Sequence, residues 1–137
     1  MSNRLFRFSL ATACFQLLAC TVLSVGVHAA EISKELLVGT WTLTEFAPNG
    51  AKVETIATIS PDGTFTTVGT ANAKPFMHYS GKWSLKDDKL TSTILKSDLA
   101  VTEAQKNQVD SVLILNDREL VLKSQSNGKR ETYLRKK

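Results

Sequence analysis

Five turn signals cut this chain, from Gly39 onward, into runs too short for anything but antiparallel neighbours. They are Pro48-Asn49-Gly50, Ser60-Pro61-Asp62-Gly63, Asp87-Asp88, Asn116-Asp117 and Ser126-Asn127-Gly128. Proline sets φ, aspartate bonds its own backbone, and glycine accepts positive φ. A parallel strand pair needs a crossover of a dozen residues or more, so connections this short produce hairpins.

Between the turns the hydrophobic period is two. Trp41 and Leu43 alternate with Thr40, Thr42 and Thr44 in a first strand rich in threonine. Lys52 to Ser60 and Thr64 to Thr70 read as the second and third strands, and Ala71 to Pro75 as a loop. Phe76 to Leu85 has the clearest pattern: Met77, Tyr79, Gly81, Trp83 and Leu85 share one face, and His78 lies on the other. Leu90 to Lys96 is the fifth strand. Asp110 to Leu115 is the sixth, and its run Val112-Leu113-Ile114-Leu115 predicts burial on both faces. Glu119 to Gln125 and Thr132 to Arg135 complete the set, joined at Asn127-Gly128 by an expected type I′ turn. Two helical pieces interrupt the strands. Ser33 to Leu37 reads as a short turn of helix with Ser33 as N-cap. Within Ser97 to Gln108, Thr102-x-x-Gln105 forms a capping-box pattern.

The N-terminal segment belongs to a different regime. Arg4 and Arg7 precede an uncharged run, Phe8 to Val27, and Val27-His28-Ala29 suits a signal peptidase. The favoured reading is a secretory signal over residues 1–29 and one domain over residues 30–137. Two alternatives stay open: a lipoprotein signal, in which Cys20 of Leu17-Leu18-Ala19-Cys20 is acylated, and an uncleaved membrane anchor. Cleavage after Ala29 removes both cysteines and His28. The formal charge of +4 loses Arg4 and Arg7 and falls to +2. The remaining domain has no thiol and a single histidine, His78, too few for a zinc site of three or four His or Cys ligands. No Gly-x-Ser-x-Gly elbow and no phosphate-cradling glycine loop is present, so no catalytic residue, metal or cofactor is assigned. The dispersed charge does not form a nucleic-acid stripe.

Eight short strands joined by tight turns are able to close on themselves and remove both sheet edges. The expectation is an all-β domain: an eight-stranded antiparallel up-and-down barrel, with a helical or irregular lid between strands 5 and 6. The phrase Leu37-Val38-Gly39-Thr40-Trp41, the strand count and Arg135 in the last strand together resemble the lipocalin-like (calycin) barrels. Ser60-Pro61-Asp62-Gly63-Thr64-Phe65 and Ser80-Gly81-Lys82-Trp83-Ser84-Leu85 are similar to phrases of small bacterial members. The resemblance implies that Trp41 packs inside the closed end with Arg135 across it, and that Gly39 and Trp83 belong to the structural signature.

Strand parity then places the long Ser97–Gln108 connection at the end opposite Trp41, where a lid belongs. Leu43, Glu45, Met77, Tyr79 and Leu113 are the candidate ligand-binding residues there, although Met77 and Tyr79 also suit an ordinary core. The function expected is a non-enzymatic, exported binding protein of the bacterial envelope, periplasmic or secreted, taking a small apolar or amphipathic molecule. The alternative is a protein-interaction or inhibitor module with a filled interior and an envelope protein as partner. Contact with a membrane is expected only if Cys20 is acylated or the signal stays uncleaved.

Overall fold

The computed structural model describes residues 32–137. The expected signal over residues 1–29 and the acylation candidate Cys20 lie outside the described residues. The chain opens with α1 (Lys34–Leu37), followed by β1 (Gly39–Phe46), β2 (Lys52–Ile59), β3 (Thr64–Ala71), β4 (Lys74–Lys86) and β5 (Lys89–Ser97). A second short helix, α2 (Glu103–Lys106), leads into β6 (Asn107–Leu115), β7 (Glu119–Ser124) and β8 (Arg130–Arg135). The eight strands pair in sequence order, all antiparallel, and β8 returns to β1 to close a barrel. This is the up-and-down barrel expected from the turn spacing.

Closure rests on a short seam. β1 and β8 are in register only at Trp41↔Arg135 and Thr42↔Leu134. Side chains reinforce what the ladder lacks. The Arg135 guanidinium lies 4.2 Å from the centroid of the Trp41 ring. Its Nη1 donates to the Val38 carbonyl at 3.0 Å, and its Nη2 donates to the Leu36 carbonyl. Trp41 Nε1 donates to the Leu37 carbonyl at 2.8 Å, which ties α1 across the barrel end. Gly39 completes the clamp. Its φ of +143° disfavours any side chain, and a Cβ there would run into Arg135 Nη1.

The floor of the barrel is the hydrophobic core. Leu37 and Trp41 are fully buried, and Ile59, Leu85, Leu90, Val112, Leu120 and Leu122 pack with them. Several of these flank the β2–β3, β4–β5 and β6–β7 turns, so α1 and three turns seal this end. Each aliphatic side chain buried there contributes about 1.5–3 kcal/mol.

The structure revises four local expectations. Ser33 occupies the N-cap position of α1 but makes no capping bond; its hydroxyl donates to Glu35 instead. The Thr102–Gln105 capping box does form, yet β6 begins at Asn107, so the lid is shorter than Ser97–Gln108. The Asn127–Gly128 turn is not type I′, which needs positive φ at both central residues, because only Gly128 has it. That signature appears at Asn72–Ala73, with φ of 47° and 63°, between β3 and β4. Finally, Val112–Leu115 is not buried on both faces. A bulge between Val112 and Ile114 makes Leu113 the extra residue, and Leu113 and Ile114 are 39% and 45% exposed.

Candidate functional site

Above the floor the barrel is hollow. A cavity of about 620 Å³ opens toward α2 and the β7–β8 loop, within the ~300–1,000 Å³ range of small-molecule sites. Trp41, Ile59, Leu90, Leu120 and Leu122 form its apolar base. Phe65, Tyr79 and Trp83 form an aromatic wall, in which Phe65 and Tyr79 meet edge to face at 6.1 Å. Trp83 is anchored from behind by its Nε1, which donates to the Ser60 carbonyl at 2.9 Å. Ala104 and Gln105 of α2 overhang the mouth.

The opposite wall is polar. Gln108 and Asp110 of β6, Ser124 of β7, and Glu131 and Tyr133 of β8 face the cavity. Tyr133 Oη donates to Glu131 Oε2 at 3.0 Å. At the mouth, Lys129 Nζ bridges Glu131 Oε1 at 3.1 Å and Glu45 Oε1 at 2.9 Å. These two bonds raise the Lys129 ammonium above its ordinary range. Burial pushes the Asp110 carboxyl up, and the nearby Glu131 carboxylate adds to the effect. Tyr133 is raised in the same way, by burial first and by Glu131 second. Across the cavity Tyr79 is raised by burial, with smaller contributions from Glu131 and Asp110. Two carboxylates and two phenols from β4, β6 and β8 therefore share one electrostatic environment.

The candidates named from sequence divide between the cavity and its surroundings. Tyr79 lines the cavity, and Trp41 and Trp83 contribute to base and wall. Glu45 stands at the mouth and is tied to the lining by Lys129. Leu43 is buried, in phase with Trp41, but does not line the cavity. Met77 lies off the lining too, because it folds with Phe76 over Gly69. A Cβ on Gly69 would come within 2.9 Å of Met77 Cε and 3.2 Å of the Phe76 ring. Leu113 belongs to the exposed β6 bulge rather than to the interior: it follows inward-facing Val112 and points out, and the run expected to be buried on both faces has only one face in the core. Asp110, Glu131 and Tyr133 were not anticipated. Period two gives the signal: Asp110 is in phase with buried Val112, and Glu131 and Tyr133 are in phase with Arg135.

The closed ring, the Gly39–Trp41–Arg135 clamp and the hollow upper half now meet the comparison with known proteins. The profile of the lipocalin-like domain matches residues 37–122, which is more than half of the chain. The chain belongs to the lipocalin-like family. A solved structure of an uncharacterised protein from Bacteroides eggerthii shares the fold, with a TM-score of 0.53 at 17% identity over 72% of this chain and 98% of that one. No curated protein matches the chain. The profile ends at Leu122, so Glu131, Tyr133 and Arg135 are assigned from the geometry of this barrel alone.

Proposed function

We propose that this lipocalin-like protein is a non-enzymatic carrier or receptor for a small amphipathic molecule, which enters between α2 and the β7–β8 loop. The cavity carries this reading. It is large enough for such a ligand, apolar at its base and polar on one wall, so an elongated molecule finds a matched partner at each end. A solid interior is the mark of the competing interaction-module reading, and the cavity weighs against it. Placement in the bacterial envelope is part of the proposal and is supported by the uncharged run between Arg7 and Ala29.

A neutral fluorescent probe, N-phenyl-1-naphthylamine, tests the pocket. Saturable one-site binding is expected, together with quenching of tryptophan emission, since Trp41 and Trp83 both line the cavity. Ser92 faces the cavity from β5, so Ser92→Trp should block it and weaken binding at least ~10-fold, or 1.4 kcal/mol. Absence of saturable binding, or wild-type binding by a folded S92W variant, would refute the reading. Native mass spectrometry of protein taken from its own membrane fractions tests localisation. It reports cleavage near Ala29, acylation at Cys20, or an intact N-terminus.

A further inference from the structure

The cavity lining contains charge of mainly one sign. Asp110 and Glu131 are both part of it, and Lys129 is its sole cation among the described residues. Lys129 is already shared between Glu131 and Glu45 at the mouth. Both oxygens of Glu131 are engaged, one by Lys129 and one by the Tyr133 hydroxyl. Asp110 differs: among the described residues its carboxylate is in none of the ion pairs, which go to Glu45 and Glu131 at this end, and no side chain donates to it. It stands half-buried on β6 opposite Ser124 of β7, whose other neighbour, β8, carries Glu131.

Each class of ligand head group would meet this wall differently. An anionic head finds no free cation and two fixed carboxylates, and like charges at close range repel it. A neutral head displaces water from Asp110 and leaves an unpaired carboxylate desolvated next to another, an arrangement that penalises the charged form. A protonated amine supplies the missing counter-charge and up to three donors. The surrounding groups suit it as well. Tyr79 and Tyr133 offer phenol oxygens or ring faces, and Trp83 offers an indole face within the same cavity.

We propose that the cavity selects amphiphiles with an amine or ammonium head, that Asp110 is the anchoring residue, and that the apolar tail lies toward Trp41 and Leu120. This selectivity rests on the binding-protein reading above and adds the ligand class to it.

The test compares three probes of equal chain length, decylamine, decanoate and 1-decanol, by isothermal titration of protein produced from the full chain at pH 7 and moderate salt. Decylamine should bind at least ~10-fold more tightly than decanoate, a difference of 1.4 kcal/mol or more. Asp110→Asn should remove most of that preference while 1-decanol binds at least as tightly as to the wild type, because no carboxylate is then desolvated; a cooperative urea transition shows that the variant is folded. Glu131→Gln should reduce the preference less, because Glu131 is already paired. Equal or tighter binding of decanoate by the wild-type protein overturns the inference, as does an amine preference that survives D110N intact. Either result leaves the carrier reading standing if 1-decanol binds. Failure of all three probes to bind removes the carrier reading itself, and the selectivity with it.

Discussion

Replacing Arg135 with alanine tests how this barrel closes, because the residue joins the last strand to the first where the ladder is shortest. Three contributions are lost. Stacking on Trp41 at 4.2 Å is worth about 1 kcal/mol. The charged bond to the half-buried Val38 carbonyl is worth about 1.5 kcal/mol, and the more exposed bond to Leu36 about 0.5 kcal/mol. The total is about 3 kcal/mol, a large part of the ~5–15 kcal/mol that holds a domain together. With a urea slope of about 1.5 kcal/mol/M, the unfolding midpoint should fall by about 2 M. Arg135→Lys should lose roughly half as much, since an ammonium cannot serve two carbonyls and lie flat on the indole together. Combining R135A with Trp41→Phe should give a coupling of about 0.5–1 kcal/mol in a double-mutant cycle. A midpoint drop for R135A under about 0.5 M, with R135K equal to wild type, would show that backbone pairing alone closes the ring.

Other substitutions probe single parts of the same account. Gly39→Ala should cost about 3 kcal/mol, through its positive φ and its overlap with Arg135, and the loss should shrink in an R135A background. Ala73→Gly should stabilise by roughly 0.5–1 kcal/mol, seen as a raised urea midpoint, because it relieves a left-handed alanine in the β3–β4 turn. Asp110→Asn should raise stability at pH 7. Burial and Glu131 push the Asp110 carboxyl up in the folded state, so its favourable contribution exists below the ordinary carboxylate range and is lost as pH rises through the folded value. The gap between the D110N and wild-type midpoints should therefore close as the pH is lowered toward about 4; a gap constant with pH would refute the assignment.

The barrel was legible because its determinants are local. The Ser60–Gly63 turn and the alternation of Phe76–Leu85 each specify a hairpin without reference to the rest of the chain. Ring closure needed one long-range pair, and the Gly39–Trp41 phrase with Arg135 supplied it. The cavity was legible only in part, because its position depends on bulges that alternation cannot show. The β6 bulge turned Ile114 outward although it is in phase with Val112, and the one between Gly69 and Thr70 brought Phe76 and Met77 onto the same glycine. The polar wall was missed for a different reason. Asp110, Glu131 and Tyr133 have the right phase, but an interior sought through apolar residues passes over a carboxylate. The type I′ turn at Asn72–Ala73 lacked the glycine that normally announces one.

That polar wall bears on what the cavity holds between ligands. The cavity of about 620 Å³ opens at its mouth and has room for many waters. The upper half of the barrel is therefore filled by water or by a ligand. Water needs partners, and an apolar lining would give it none. Gln108, Asp110, Ser124 and Glu131 provide them along one wall, so the same groups that would recognise a head group make the unoccupied state tolerable. Binding then exchanges water for ligand on both walls. The aromatic and aliphatic side gains from that exchange, whereas the carboxylate side loses unless the incoming group replaces the hydrogen bonds and charge compensation that water provided. A barrel arranged in this way draws its affinity from the base and its discrimination from Asp110, and replacing Asp110 with leucine should raise stability and apolar binding together while removing the choice between head groups.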